Sequence, residues 1–234
     1  ISVPKGVTRI AKGAFEKCWA FTKVEIPIGV TEIANRAFQY CSALKTVTIP
    51  GTITRIDDYA FGSCSKLEKC RIYAETPPTT SSNVFSSVPN TVLTIEVPEV
   101  SLDAYKSLSP YNNYNITSFP GTGSSIDINY GDYALEFIVT SVEPAECKVR
   151  CSTNPITPTI ISIPETVTSS GITYSVTSIA DSAFLNCSNL TGIICSNISS
   201  IGESAFNGCT SLNNVLLPEG IQMLGKSSFA NCTN

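Results

Sequence analysis

Cys41, in the stretch AFQYCSALKTVTIP (37–50), has a side chain with the chemistry of a nucleophile. A catalytic thiol needs a neighbouring base that takes its proton, and histidine is the usual one. The chain contains no histidine at all. Cys–His, Ser–His–Asp and histidine–metal chemistry are therefore excluded within this chain, and only carboxylate, lysine, tyrosine or cysteine mechanisms remain.

Paired carboxylates are the other residues with catalytic chemistry. Asp57 and Asp58 are adjacent, and Glu143 and Glu146 flank a proline. Glycoside cleavage needs two carboxylates that face each other across a cleft, which a repeat wall does not offer. We interpret Asp57 and Asp58 as capping residues at the start of a helical turn, and the two glutamates as loop residues. We therefore predict no catalytic residues and no enzyme activity.

Metal binding is equally weakly supported. The stretch DINYGDYALEFI (127–138) places Asp127 and Asn129 at the offsets of a calcium loop. Such a loop needs glycine in the sixth position and glutamate in the twelfth, where this chain has Asp132 and Ile138. We predict a hairpin turn there. No Cys-x-x-Cys pair is present for zinc, so we expect no metal and no cofactor.

These residues belong to elements that repeat along the chain. VTRIAKGAFEKCWAFTKVEIP, VTEIANRAFQYCSALKTVTIP and ITRIDDYAFGSCSKLEKCRIY follow one another at intervals of 23 residues. The pattern returns as VTSIADSAFLNCSNLTGIIC, ISSIGESAFNGCTSLNNVLLP and IQMLGKSSFANC. The aligned columns contain Phe15, Phe38, Phe61, Phe184, Phe206 and Phe229, and Cys18, Cys41, Cys64, Cys187, Cys209 and Cys232. Six copies in two blocks identify a repeat protein.

Each repeat predicts one strand and one turn. In LKTVTI (44–49), Val47 and Ile49 alternate inward, as in a half-buried strand. Asn35 is predicted to cap a short helical turn that holds Phe38 on its inner side, and VTEI before it to form a minor strand. One repeat cannot bury its own apolar residues, but stacked repeats bury each other's. We predict an α/β leucine-rich-repeat solenoid, dominated by β structure, with a ladder of parallel strands.

The pattern Ile-x-x-x-Ala-Phe-x-x-Cys-x-x-Leu-x-x-Val-x-Ile-Pro, present at 33–50, resembles the BspA-like leucine-rich repeat family of bacterial surface proteins. The resemblance implies export, attachment to the cell surface, and adhesion to host or bacterial partners through protein or glycan contacts. Residues from Thr76 onward resemble the irregular module that closes such an array. INYGDYALEFIVT and the residues after it resemble the antiparallel β-hairpin module that opens a new array.

The domain organisation follows from these assignments. We predict a first repeat block (1–75), a closing module (76–117), a linker (118–126), a β-hairpin module (127–175) and a truncated second repeat block (176–234). The linker SFPGTGSSI is rich in Pro, Gly and Ser, which is typical of a flexible connection. Whether the two blocks hinge there or stack continuously is left open. Because the chain begins and ends inside repeats, we expect it to be part of a longer protein.

The ten cysteines would suggest a disulfide framework in an exported protein. Six of them occupy one repeat column, where parallel side chains hold the Cβ atoms about 5 Å apart, whereas a disulfide needs ~3.8 Å. We predict free, buried thiols. Cys147 and Cys151 lie ~13 Å apart along one strand and cannot pair with each other. A bridge from either of them to another strand is left open.

Composition excludes several classes of partner. The net charge is −4 and the pI about 4.9, with no basic stripe, so we predict no nucleic-acid binding. No apolar run approaches the ~20 residues of a membrane-spanning helix. Charged residues make up 15% of the chain, against roughly 25% in an average protein. We predict an extracellular or cell-surface location, with any export signal or anchor outside this segment.

Solenoids bind partners mainly through the outward residues of their strands. These residues are Lys23, Glu25, Thr46, Thr48, Lys69 and Arg71 in the first block, and Gly192, Ile194, Asn214 and Leu216 in the second. Ile194 and Leu216 are the apolar exceptions. They form a contact patch, or they are covered by the hairpin module or a following block, and from the sequence we favour the covered arrangement.

The sequence supports three functions. The first is an adhesin or interaction scaffold that binds a protein of the host matrix or of a bacterial surface. The second is a glycan-capture module of a surface nutrient system, for which the tyrosines of SPYNNYN, Trp19 and Tyr40 are the aromatic candidates. The third is a structural spacer that projects another domain.

Overall fold

The computed structural model describes residues 3–152 and 159–234. The chain forms two compact units, an N-terminal unit of Ile1–Gly121 and a C-terminal unit of Thr122–Asn234. The first two residues of the predicted first block, and residues 153–158 of the predicted β-hairpin module, lie outside the described residues.

Two parallel sheets form the N-terminal unit. Its strands are β1 (Arg9–Ile10), β2 (Lys23–Glu25), β3 (Glu32–Ile33), β4 (Thr46–Ile49), β5 (Arg55–Ile56), β6 (Lys69–Ile72), β7 (Thr79–Thr80), β8 (Thr94–Pro98) and β9 (Asn115–Phe119). The order β2-β4-β6-β8-β9 forms a sheet that we call the major ladder, and β1-β3-β5-β7 forms the minor ladder. Lys23, Thr46 and Lys69 are register partners on successive strands, one repeat apart. The predicted solenoid with a parallel ladder is confirmed.

The alternation of side chains fixes the register of these strands. In β4, Val47 and Ile49 are buried, whereas Thr46 and Thr48 are half-buried on the outer side. A shift of one residue would expose both apolar side chains and bury both hydroxyls. The same inward positions hold Cys70 and Ile72 in β6, so one core runs through the unit.

The residues after position 75 extend the N-terminal unit by a further repeat. Phe85 stacks on Phe61 with the ring centroids 5.7 Å apart, and Val88 stands where the other repeats have cysteine. Strands β8 and β9 are joined by two 3-10 helices (Glu99–Ser101 and Tyr111–Asn113) and by α1 (Leu102–Ser107). Tyr105 of α1 is buried, and its hydroxyl donates a hydrogen bond to the carbonyl of Ala74 at 2.9 Å. This bond fastens α1 to the repeat core.

The turns that hold the phenylalanine column are not helical in any described repeat, so the predicted short helical turn is wrong. Within the turn, the amides of Ala37 and Gln39 bond to carbonyls three residues earlier. The intervening amides of Arg36, Phe38 and Tyr40 bond instead to the next repeat. A helix directs every amide to its own preceding turn, so this alternation cannot be helical. The Asn35 side chain also donates to the next repeat, to the carbonyl of Asp58, and does not cap a helix.

Residues in the left-handed backbone conformation make this alternation of amide directions possible, because they reverse the direction of the backbone within the turn. They occur two positions before each phenylalanine and one position before each cysteine. The first set is Gly13, Arg36, Tyr59, Ser182, Ser204 and Ser227, and the second is Lys17, Tyr40, Ser63, Asn186, Gly208 and Asn231, with φ between 54° and 78°.

The phenylalanine rings stack on one another along each unit. The centroids of Phe15 and Phe38 are 5.0 Å apart, and those of Phe38 and Phe61 are 5.4 Å apart. Phe184, Phe206 and Phe229 continue the same arrangement in the C-terminal unit at 5.1 Å per step. The column identified in the sequence is therefore a physical stack, in which Phe38, Phe61, Phe184 and Phe206 are buried and the end rings Phe15 and Phe229 are partly buried.

The C-terminal unit contains an antiparallel portion and two parallel ladders. Its strands are β10 (Ser125–Asn129), β11 (Ala134–Val142), β12 (Ala145–Cys151), β13 (Ile160–Ser162), β14 (Thr166–Ser169), β15 (Ile172–Ile179), β16 (Gly192–Ile194), β17 (Ser200–Ile201), β18 (Asn214–Leu216) and β19 (Met223–Leu224). Strands β10, β11 and β12 pair antiparallel, as do β14 and β15. The sheet β10-β11-β12-β15-β17-β19 continues as a parallel ladder from β12 onward. A second parallel ladder has the order β13-β16-β18.

The predicted hairpin turn around YGD connects β10 to β11. The amide of Gly131 donates to Oδ1 of Asn129 at 2.7 Å, and Gly131 has a φ of 90°. Only glycine adopts this conformation without strain. The residues predicted as a linker are partly in strands, because Ser118 and Phe119 end β9 while Ser125 and Ile126 begin β10.

Candidate binding surfaces

The outward side of the major ladder holds the residues predicted to bind partners in the N-terminal unit. Lys23 and Glu25 on β2 form an ion pair, with 2.5 Å between Nζ and Oε1, and both side chains are well exposed. Thr46 and Thr48 on β4 are their register partners and are half-buried. The structure therefore places these four residues together on one polar surface.

Glu96 on β8, which the sequence did not single out, completes this surface. Its carboxylate accepts hydrogen bonds from Nζ of Lys69 and from Nε of Arg71, each at 2.7 Å. The guanidinium carbon of Arg71 also lies 5.4 Å from the ring centroid of Phe119. Arg71 is only 16% exposed. Both basic residues are therefore engaged within the chain, and Arg71 mainly supports the packing of β6 against β8 and β9.

The same contacts control ionisation at the centre of this surface. Burial disfavours the charged form of Glu96, but the hydrogen bonds from Lys69 and Arg71 outweigh burial and lower the pKa of Glu96. Burial also opposes the charge of Arg71, yet its bonds to Glu96 and Tyr73 raise its pKa overall. Each group stabilises the other's charge, and because one carboxylate faces two cations, Lys69, Arg71 and Glu96 together keep a net charge of +1.

The second predicted surface lies on the β13-β16-β18 ladder. Ile194 and Leu216 are register partners with exposed fractions of 42% and 56%. Asn214 is exposed on the same side of β18. These fractions contradict cover by the hairpin module, as far as residues 3–152 and 159–234 extend, and cover by a following block stays a prediction. The two side chains face solvent.

A third apolar side chain belongs to the same surface. Ile160 on β13 is 52% exposed and is the register partner of Gly192 on β16. The available sequence signal was the stretch IISIP, in which Pro164 follows the strand as Pro50 follows β4. Our prediction placed this stretch in the β-hairpin module, and the structure shows that it provides a strand of the repeat ladder.

A polar cleft of about 520 Å³ lies beside the minor ladder of the N-terminal unit. It is lined by Asn35, Arg55, Ile56, Asp57, Asp58, Thr79, Thr80 and Ser81. Asp57 accepts a 2.6 Å hydrogen bond from Arg55, and Asp58 accepts hydrogen bonds from Ser81 and Asn83. The two carboxylates predicted to cap a helical turn thus bind neighbouring side chains instead. The bonds of Asp58 reach the next repeat and stabilise the junction between repeats, whereas the bond of Asp57 lies within one repeat.

All ten cysteines are free thiols. In the column, Sγ of Cys41 donates to the carbonyl of Phe15 at 3.1 Å, and Sγ of Cys64 donates to that of Phe38 at 3.2 Å. Burial, together with the nearby charge of Glu146, raises the pKa of Cys147 to about 12. Since the thiolate is the reactive form, Cys147 is inert at neutral pH. The predicted role of the column cysteines as packing residues is confirmed, and no disulfide joins Cys147 or Cys151 to another strand.

Metal-binding clusters and membrane-spanning helices are absent from the described residues. The described part of the chain holds no group of three or more cysteine or acidic side chains arranged to bind a metal ion. Among the same residues, no helix has the length and apolar character that crossing a bilayer requires.

Comparison with protein families gives a match to the BspA type leucine-rich repeat region, in six copies, over residues 1–123 and 160–234. The chain belongs to this family. The matched ranges agree with the structure, because they include the repeat of Phe85 and the strand β13. Membership of the BspA-type family identifies a bacterial-type repeat protein with an architecture suited to protein interaction.

Solved structures of other BspA-type and leucine-rich repeat proteins are similar to this chain. A leucine-rich repeat protein from Bacteroides capillosus is 30% identical, covering 43% of this chain and 71% of that chain, with a TM-score of 0.36. A leucine rich cell surface protein from Faecalibacterium prausnitzii is 22% identical, covering 99% of this chain and 70% of that chain, with a TM-score of 0.32. The leucine-rich repeat protein of T. pallidum is 19% identical, covering 100% and 76%, with a TM-score of 0.29. A search of curated proteins found no match.

Proposed function

We propose that this protein is a non-enzymatic adhesin of the bacterial cell surface or of the secreted fraction, which binds proteins of a host matrix or of other bacteria. The observation that supports the proposal most is the pair of parallel ladders whose outward residues form continuous surfaces. Family membership and the absence of histidine from the chain support a binding role over a catalytic one.

Direct binding tests this function. The purified chain is titrated onto immobilised fibronectin, laminin, fibrinogen and collagen, and onto whole bacterial cells. We expect saturable binding to at least one of these targets. Two variants assign the surface, K23A/T48A on the major ladder and I194T/L216T on the C-terminal ladder, and one of them should weaken binding. The cleft variant N35A is the control. Saturable binding that neither ladder variant changes would contradict the proposed surfaces.

Glycan capture is the second candidate, because two large aromatic side chains are exposed in the N-terminal unit. Trp19 is 66% exposed and Tyr40 is 44% exposed. Exposed aromatic rings can stack on the apolar faces of sugars, and their exposure is costly without a partner. A glycan array on which W19A and Y40A lose signal, with no binding to any of the proteins above, would favour this function over adhesion to proteins.

A further inference from the structure

The outward surfaces of the two units differ in chemistry although their strands are equivalent. On the major ladder, the outward positions of β2, β4 and β6 hold charged or hydroxyl side chains. On the β13-β16-β18 ladder, the corresponding positions include Ile160, Ile194 and Leu216, with exposed fractions of 52%, 42% and 56%. Exposed apolar side chains that are neighbours on adjacent strands mark interaction sites more often than isolated ones do.

Gly192 makes the three apolar side chains continuous. A Cβ atom at this position would lie 3.3 Å from Cγ1 of Ile160, so the isoleucine packs closely over the strand at the glycine. Glycine inside a strand is unfavourable and often marks a place where another group approaches the backbone closely. Ile194 is two residues further along the same strand on the same side, and Leu216 is its register partner. We name Ile160, Ile194 and Leu216 the apolar patch.

Carboxylates without cationic partners lie at one edge of the apolar patch. Glu165 follows β13 and Glu219 follows β18, each three residues after an outward strand position, and both are exposed. The hydroxyl of Ser196 donates to Glu165 at 2.7 Å. Neither carboxylate forms an ion pair with any residue of the described ranges. Because the strands are parallel, both glutamates lie at the same end of the ladder, where the strands finish.

The charge of the whole C-terminal unit has the same sign. Its residues include nine acidic and three basic side chains, a net charge of −6, whereas the N-terminal unit has ten acidic and twelve basic ones, a net charge of +2. Of the three basic residues, Arg150 is held by Glu136 at 2.6 Å. The field around the apolar patch therefore attracts cations.

We infer that the apolar patch and its acidic edge bind a cationic segment of a partner protein, with leucine or isoleucine side chains on the patch and lysine or arginine side chains at Glu165 and Glu219. This inference rests on the proposed protein-binding function and adds the chemistry of the partner and the unit that binds it. The apolar contact supplies affinity, and the charges supply orientation and a faster encounter.

Selection from a random dodecapeptide library displayed on phage tests the inference. The whole chain is immobilised, selected peptides are synthesised, and their dissociation constants are measured by fluorescence anisotropy. We expect enriched peptides that combine lysine or arginine with large aliphatic residues. The variant I194T/L216T, which has β-branched strand formers at both positions, should weaken their binding at least tenfold. The variant E165K/E219K, altered only at exposed loop positions, should abolish it even if I194T/L216T does not fold.

The control variant V92T/L108T changes two exposed apolar side chains of the N-terminal unit, outside the candidate binding surfaces, and should leave binding unchanged within twofold. Enriched peptides without basic residues, or peptides that bind the wild type and E165K/E219K equally, would overturn the inference. Sedimentation that shows self-association of the wild type, lost in I194T/L216T, would also overturn it, because a second copy would then be the occupant.

Failure of this inference differs from failure of the proposed adhesion function. Binding to matrix proteins that persists in I194T/L216T and E165K/E219K leaves adhesion standing and overturns the cationic partner. Selected basic peptides that bind the apolar patch, with no binding to matrix proteins or bacterial cells, support the inference and contradict the adhesion function.

Discussion

Four of the column cysteines donate a directed hydrogen bond from Sγ to a phenylalanine carbonyl of the preceding repeat, and these are Cys41, Cys64, Cys209 and Cys232. The carbonyl of Phe38 accepts the amide of Cys41 in its own repeat and Sγ of Cys64 from the next repeat. The C-terminal unit repeats this arrangement, since Cys209 donates to the carbonyl of Phe184 at 3.0 Å. Valine fills the same space without a donor, as Val88 does in the repeat where this column has no cysteine. The thiol thus fills space in the core and donates a weak hydrogen bond to the carbonyl of a phenylalanine in the preceding repeat.

Thiol titration checks this role. We expect all ten cysteines to react with a disulfide reagent in denaturant without prior reduction, because none is paired. In the native protein, Cys18, Cys151 and Cys232 should react first, since they are only partly buried. The remaining thiols should react at the rate of local or global unfolding. A titre below ten in denaturant would show disulfides and contradict the structure.

Gly202 is a residue at which the backbones of adjacent repeats lie too close together to leave space for a side chain. A Cβ at Gly202 would lie 2.5 Å from the amide nitrogen of Asp181. We expect Gly202→Ala to lower the free energy of unfolding by about 1–3 kcal/mol, because backbone must move to make room. Gly220→Ala is the matched control, since no atom lies within 4 Å of its added Cβ. Urea denaturation measures both, and equal stabilities would contradict the close approach.

At the scale of elements, the strands depend on cross-strand charge as well as on apolar alternation. Glu96 on β8 forms ion pairs with both Lys69 and Arg71 of β6, so one carboxylate contacts two outward side chains of the neighbouring strand. This arrangement joins the repeat of Phe85 to the three repeats before it. A surface pair such as Lys45 and Glu68, at 3.7 Å and about half exposed, contributes little by comparison.

The pH dependence of Glu96→Gln follows from its pKa. The folded-state pKa of Glu96 lies below the unfolded value of about 4.3, so the unfolded chain binds the proton first as the pH falls. The stabilisation is therefore fully present above that unfolded value and is lost as the pH falls through the folded pKa. We expect Glu96→Gln to cost about 2 kcal/mol at pH 7 and progressively less below pH ~4.

The control for this measurement is Glu68→Gln, which should change the free energy of unfolding by less than about 0.5 kcal/mol at pH 7. Urea titrations of wild type and both variants between neutral and acidic pH give the comparison. A cost of Glu96→Gln that does not shrink on acidification would show that the carboxylate acts through packing and not through its charge.

The ladders and core columns could be predicted from the sequence, because Phe38, Cys41 and Val47 recur at fixed spacing and each repeat makes the same contacts. The turn could not be predicted as fully. The spacing of three positions from Phe38 to Cys41 suits a helix, and the left-handed positions hold Arg36 and Tyr40, residue types that do not indicate this conformation. Ser182, Ser204 and Asn231 at equivalent positions are short polar residues that tolerate it better, and this was the available signal.

The candidate surfaces were predictable where the repeats were clear and not elsewhere. Lys23 and Thr46 were placed correctly on the outward side because alternation along a strand determines direction. Glu96 and Ile160 lie in repeats that lack the cysteine and whose spacing is irregular, so no column identified them. The exposure of Ile194 depends on which segments pack nearby, and this is a tertiary property that strand alternation does not contain.

At the scale of the whole molecule, the two units are similar in fold and different in charge. The N-terminal unit has a net charge of +2 and the C-terminal unit one of −6. Their repeats use the same stacked rings and the same thiol contacts, so the difference in charge lies outside the shared core. The two units therefore share a scaffold and present different surfaces.

The extent of the N-terminal unit can be tested with fragments. A fragment of residues 1–121 keeps both ladders, α1 and the edge-to-face contact of Phe119 with Tyr73 at 5.4 Å. A fragment of residues 1–75, cut at the predicted block boundary, loses β8 and the rings that cover Phe61. We expect the first to unfold cooperatively in urea and the second to aggregate or unfold gradually, since repeat arrays need a terminal cap. Equal cooperativity of both fragments, followed by circular dichroism, would contradict this.

The hydrogen bonds that join adjacent repeats have a consequence for how such chains change in length. The side chain of Asn35 bonds to Asp58, 23 residues away, and Ser199 bonds to Thr177, 22 residues away. Each donor needs only a carbonyl at the equivalent place in the adjacent repeat, whichever repeat that is. Duplication or deletion of a gene segment that encodes one repeat therefore leaves every remaining donor with an equivalent acceptor. The architecture permits proteins of this kind to become longer or shorter by one repeat in a single genetic step, while the outward residues of each repeat diverge independently.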